Sequence, residues 1–263
     1  MSNSPTRSRA LPLVLTAAVA GGLGLGAVAL AGRSPSAPEV AGAPEQVQDP
    51  ATSPTPSATS GADRSAPPAD DAAPRIAFFG DSLTVGVGAP PERGYAWQTA
   101  EQLGWPIAVV EGVSGSGFLA SGAGRPMPDR VAAVVASDPD VVVVAGGTND
   151  AFQGYAPTEV GAAAGELLGD LRAADPDLAI LVLGPFPTTL ETATGLDPVS
   201  DAVRAAADAV GAEFVDARDL LLSAGAGPEE WEQYISADGV HPNEAGYGVM
   251  ADALVAELRT LVG

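Results

Sequence analysis

Residues 140–146 read DVVVVAG, and Gly147-Thr148-Asn149-Asp150 follows directly. Four consecutive valines put a β-branched, apolar side chain on both faces of any strand they form, so both faces must be covered. Four other short runs share this character: Arg75 to Gly80 (RIAFFG), Pro106 to Glu111 (PIAVVE), Leu178 to Leu183 (LAILVL) and Glu213 to Asp216 (EFVD). Between them lie helical patterns, over about Glu92 to Leu103, Pro128 to Ala136, Pro157 to Ala174, Pro198 to Val210 and Pro242 to Leu261. This alternation predicts an α/β domain, a parallel sheet of about five strands with helices on both sides. Such sheets bind ligands at the C-terminal ends of their strands, so chemistry is to be sought just after each one.

The chain outside this region reads differently. Residues Met1 to Arg9 are polar and carry Arg7 and Arg9, and Ala10 to Gly32 is apolar apart from Thr16. A basic start before an apolar run is the pattern of an export signal. Ala29-Leu30-Ala31 offers an A-x-A-like cleavage site, yet the run is also long enough to span a bilayer. Residues 1–32 are therefore expected to be a signal peptide or an N-terminal membrane anchor, placing the protein outside the cell or at its surface. Residues 33–74, rich in Pro, Ser, Ala, Thr and Asp, bury too little apolar surface to offset ordering entropy, and a disordered linker is expected there. The folded domain is expected over residues 75–263.

Charge and composition narrow the chemistry. The 263 residues hold 33 acids against 12 basic residues, all of them Arg, for a net charge of −21. Phosphate backbones are repelled by such a surface, so no nucleic-acid partner is expected. Cysteine is absent and histidine occurs once, which leaves no thiol nucleophile and no His/Cys ligand set; no metal and no cofactor is expected. Nothing in the sequence implies a protein partner.

Four blocks follow the strands. After the first comes Gly80-Asp81-Ser82-Leu83-Thr84, where a Ser at a strand-to-helix junction stands above the sheet edge beside backbone N–H groups. The same three residues also suit a turn with a helix N-cap. After the second comes Gly112-Val113-Ser114-Gly115-Ser116-Gly117-Phe118, a loop able to present a backbone N–H to a reacting oxygen. It also matches the dinucleotide pattern G-x-G-x-x-A, but Met127-Pro128 breaks the chain before the next helix. After the valine strand, Asn149 offers an amide that can stabilise an oxyanion, or simply a turn or cap. Near the C-terminus the one His lies three residues after an Asp, in Asp238-Gly239-Val240-His241-Pro242. A turn of that length can bring the carboxylate to Nδ1 and leave Nε2 to deprotonate a Ser. Pro242 suits the first turn of the last helix.

In this order the blocks resemble those of the SGNH hydrolases, the GDSL-type esterases and lipases, over the chain from about Arg75 to its end. The resemblance implies a flavodoxin-like three-layer α/β/α sandwich. It implies a catalytic triad of Ser82, His241 and Asp238, and an oxyanion hole of the Ser82 N–H, the Gly115 N–H and the Asn149 side chain. The G-x-S-x-G arrangement of the α/β-hydrolases is missing, and Asp238 and His241 share one loop. The expected activity is that of an exported serine esterase acting on small-molecule, carbohydrate or lipid esters, with short-chain or carbohydrate acyl esters foremost. Lysophospholipase, thioesterase and O-acyltransferase activities fit the same scaffold, and a non-catalytic binding module stands as the alternative class. Phe118, Phe152, Tyr155 and Phe186 follow the sheet-edge blocks and are candidates for the acyl pocket or for ordinary packing. Arg93 and Arg125 are the candidate cations near the site.

Overall fold

The computed structural model describes residues 73–187, 194–218, 220 and 231–263. The signal, anchor and linker expectations for residues 1–32 and 33–74 lie outside the described residues, apart from Ala73 and Pro74. Five parallel strands form one sheet in the order β2-β1-β3-β4-β5: β1 (Ile76–Gly80), β2 (Ile107–Gly112), β3 (Val141–Ala145), β4 (Ala179–Leu183) and β5 (Glu213–Val215). Each lies within a residue or so of its run in the sequence.

Side-chain alternation sorts the strands' residues into two cores. Ala77, Phe79, Val142, Val144, Ile180 and Val182 face one layer of helices: α3 (Val131–Ala136), α5 (Pro157–Ala174) and α6 (Asp197–Ala209). Ile76, Phe78, Val141, Val143, Leu181 and Leu183 face the other, α2 (Tyr95–Leu103) and α7 (Glu244–Val262). All four valines of β3 are buried because β3 is central and covered on both sides. Successive residues of a strand point to opposite faces, so adjacent Phe78 and Phe79 end in different cores.

Three helix starts differ from the sequence reading. Glu92 has a left-handed φ of 61°, and α2 begins after Gly94. A 3₁₀ turn, Met127–Arg130, precedes α3. The last helix starts at Glu244, two residues later than Pro242. Pro242 instead pairs with Ile235 in a bridge, and the Asn243 side chain caps the helix by accepting the Gly246 N–H at 3.0 Å.

In this strand order the chain leaves β1 in one direction to form β2 and returns in the other to form β3. The crevice between the C-terminal ends of β1 and β3 is thus the switch point where doubly wound sheets bind ligands. Short helices α1 (Ser82–Val85) and α4 (Thr148–Phe152) begin on its two sides, carrying the Ser82 and Asn149 blocks.

Candidate active site

Ser82 is the first residue of α1. The preceding Asp81 caps that helix, its Oδ1 accepting the Leu83 N–H at 2.9 Å. The turn is tight: a Cβ on Gly80 would lie 2.5 Å from the Ala145 carbonyl oxygen and 2.4 Å from Thr84 Oγ1. Thr84 Oγ1 in turn shares a 2.7 Å hydrogen bond with the buried Tyr95 hydroxyl. The cap of this block is thus Asp81, while the neighbouring Ser82, itself buried, turns its hydroxyl to the cavity.

The loop before α7 delivers the imidazole. His241 Nε2 lies 2.8 Å from Ser82 Oγ, and Nδ1 lies 2.7 Å from Asp238 Oδ2. The other Asp238 oxygen, Oδ1, accepts the backbone N–H groups of Val240 (2.8 Å) and His241 (2.9 Å). Those backbone bonds, the His241 N–H first, hold the Asp238 carboxyl well below the usual carboxylate range. A carboxylate that stays ionised fixes the Nδ1–H tautomer and leaves the Nε2 lone pair toward Ser82.

Among the three loop glycines, Gly115 alone lines the cavity beside Ser82, Asn149 and His241. It occupies a turn closed by the Ser116 N–H on the Val113 carbonyl at 3.1 Å, and its φ of 76° is one that a side chain would strain. Gly112 is the last residue of β2, and Gly117 packs on Asp150, where a Cβ would fall 2.1 Å from Oδ2. Asn149 Nδ2 donates to the Ser116 carbonyl at 2.9 Å and to Asp81 Oδ2 at 3.2 Å, which orients its amide at the cavity wall.

Asp150 and Asp81 play parts that the blocks alone did not reveal. Asp150 is fully buried and accepts three consecutive backbone N–H groups, those of Phe118 (2.9 Å), Leu119 (2.8 Å) and Ala120 (2.9 Å). It fastens the glycine loop to α4. Burial pushes the Asp81 carboxyl up to about 6, against the Leu83 hydrogen bond and the nearby His241, which pull it down.

The cavity is about 210 Å³, and its wall is largely apolar: Leu83, Val87, Phe152, Phe186 and Val240 line it. Thr148 anchors Phe186 by accepting its N–H at 2.7 Å and donating to its carbonyl at 3.2 Å. Phe118 belongs instead to the core, and Tyr155 is not among the lining residues. Among the described residues, no arginine lines the cavity. Arg93, a candidate cation from the sequence, is paired with Glu244 at 2.7 Å and Glu101 at 3.6 Å, and Arg125 is exposed away from the lining.

Ser82, His241 and Asp238 thus form one hydrogen-bonded chain at the switch point of the parallel sheet, next to Gly115 and the Asn149 amide. Residues 78–249 match the model of the GDSL-like Lipase/Acylhydrolase family, and the chain belongs to that family. It is a carboxylic ester hydrolase of the SGNH, or GDSL, type. A GDSL lipase of Mycobacterium tuberculosis is 31% identical over 194 residues, covering 68% of this chain and 79% of that protein. Among solved structures, an esterase from Pseudoalteromonas sp. superposes with a TM-score of 0.57 at 16% identity, covering 72% of this chain and 98% of that one. A lipase/acylhydrolase from Enterococcus faecalis gives 0.56 at 17%, covering 71% and 96%. Both share the three-layer fold.

Proposed function

We propose that the protein is an exported serine esterase for short-chain, uncharged acyl esters, acetylated carbohydrates among them. One observation carries the mechanism: Nε2 of the only histidine lies 2.8 Å from Ser82 Oγ while Asp238 holds Nδ1 at 2.7 Å. His241 takes the Ser82 proton as Oγ attacks the ester carbonyl carbon. The oxyanion so formed is met by the Ser82 and Gly115 N–H groups and the Asn149 amide. His241 then protonates the departing alcohol, and water repeats the sequence on the acyl-enzyme, releasing the acid.

The small apolar cavity supports the substrate class. Its volume and its lining by Phe186 and Leu83 favour a short acyl chain, and the described residues of its wall offer no guanidinium to pair with a phosphate or carboxylate. Export rests on the basic start and the apolar run from Ala10 to Gly32.

The test is a series of p-nitrophenyl esters from acetyl to decanoyl, run on wild type, Ser82→Ala, His241→Ala and the double variant. Activity is expected to be highest at the short end. Each single variant should lose nearly all of it, and the double should be no worse than either, because the two residues act as one unit. Independent, multiplying losses would refute the relay. An optimum at long chains would refute the substrate class while leaving the mechanism standing. For export, the intact mass of the secreted protein should correspond to a chain that begins after Ala31, or its absence from the medium and presence in membranes should mark a retained anchor; a cytoplasmic pool at full mass would overturn the assignment.

A further inference from the structure

Arg130 lies outside all four blocks, yet its guanidinium is buried at the base of the site. The residue is 3% exposed. Nη2 donates to the Gly80 carbonyl at 3.0 Å and to Ser116 Oγ at 2.9 Å. Nη1 reaches Glu111 Oε1 at 3.2 Å, and the guanidinium carbon sits 5.2 Å from the centre of the Phe79 ring. Its Nε has no hydrogen-bond partner among the described residues. A cation taken out of water with one donor unsatisfied is costly, and a whole buried ion pair can often be replaced by apolar groups without loss of stability, although removing one partner alone is destabilising. Its place is therefore poorly explained by stability alone.

The contacts of Arg130 converge on the proposed oxyanion donors. Gly80 stands two residues before Ser82, and its carbonyl also accepts the Val113 N–H at 3.1 Å, which ties the turn carrying Gly115 to the end of β1. The Ser116 hydroxyl accepts from Arg130 while donating to the Val113 carbonyl at 2.7 Å, closing the same turn around Gly115. The Ser116 carbonyl then accepts the Asn149 amide at 2.9 Å. One planar fork thus spans the segments that present Ser82 N–H, Gly115 N–H and Asn149 Nδ2. Lysine, a single point of charge on a flexible stem, cannot hold that geometry.

We propose that Arg130 is a positioning residue of the acyl-transfer site, its guanidinium setting the spacing of the three oxyanion donors through Gly80 and Ser116. The inference rests on the esterase reading above. Hydrogen bonds aimed at developing charge lose their effect when displaced by about an ångström, so the loss should fall on turnover and not on substrate binding.

The experiment uses the full-length protein and p-nitrophenyl acetate, with Ser82→Ala as control. Arg130→Met is expected to lower kcat by about 10–100-fold with KM changed less than about twofold. Arg130→Lys should restore only a minor part of that loss. In combination with Asn149→Ala, the losses should be less than multiplicative, because both variants damage the same hole. A folded Arg130→Met with kcat within threefold of wild type overturns the proposal, as do multiplicative losses in the double variant. Should Arg130→Met fail to fold, Ser116→Ala decides the matter. It keeps the guanidinium and cuts its link to the turn, so an unchanged kcat there overturns the proposal and a several-fold fall at constant KM upholds it. If Ser82→Ala keeps wild-type activity, the esterase reading itself fails. If Ser82→Ala is inactive and Arg130→Met is not impaired, only the present inference fails.

Discussion

Asp81 and Asp238 are carboxylates of one site with opposite environments. Asp81 is buried next to Ser82, and burial raises it from 3.8 to about 6. Asp238 sits at the surface and is lowered by backbone N–H groups and the imidazole. The native state holds the Asp81 proton more tightly than the unfolded chain does. Its contribution to stability is therefore present below the ordinary carboxylate value and lost as pH rises through about 6. Asp238 has the reverse sign, contributing above the ordinary value and losing that contribution as the solution becomes acid. Asp81→Asn keeps an oxygen for the Leu83 N–H and removes the titration. Between pH 4.5 and 7.5 its unfolding free energy should improve relative to wild type by about 2 kcal/mol. Urea denaturation at the two values measures this, and a change in the other direction would mean that Asp81 ionises easily where it is.

At the scale of elements, the site depends on how the glycine loop is fastened to the helix after β3. The Asp150 carboxylate takes three successive N–H groups of that loop, and the Gly117 backbone lies against it too closely for any side chain. Asp150→Ala leaves those donors without their acceptor in a buried place. It should destabilise the protein by about 3 kcal/mol or more. Because the same loop carries Gly115, turnover at a temperature where the variant remains folded should fall as well. Chemical denaturation with parallel kinetics tests both parts. A variant that loses stability but keeps full kcat would show that the loop finds its place without this anchor.

Across the whole molecule, the chain carries a net charge of −21, and among the described residues no arginine lines the cavity. Such a field lowers the local concentration of anionic substrates and slows their encounter. For a neutral and an anionic ester with the same acyl group, kcat/KM at low salt should favour the neutral one. The gap should narrow as added salt screens the field, over Debye lengths falling from about 30 Å at 0.01 M to about 8 Å at 0.15 M. An anionic ester that reacts faster at low salt and slows with added salt would reveal a locally positive mouth. Arg125 would then be the first residue to replace, since Arg93 is already paired with Glu244.

The strands, the helix alternation and the four blocks are legible in the chain, because each is written in neighbouring residues. A run such as VVVV at 141–144 carries its own demand for cover on both faces, and the short Asp238–His241 spacing leaves the chain little choice but a turn between them. The helix starts were less legible, since Gly94 and Asn243 compete with prolines and acids nearby and tertiary pairing, as of Pro242 with Ile235, settles the outcome. Packing between distant segments puts Phe118 in the core while Phe152 and Phe186 line the cavity. The fold also sets Gly115, the glycine that the family resemblance implied, at the cavity and brings Ser82 within 2.8 Å of a histidine 159 residues away. Arg130 could not be found by pattern at all. Its partners Gly80, Glu111 and Ser116 meet it through the parallel pairing of β1 with β2 and the return of the chain into α3. Contacts of that kind depend on which strands become neighbours, and no local stretch of sequence encodes strand order.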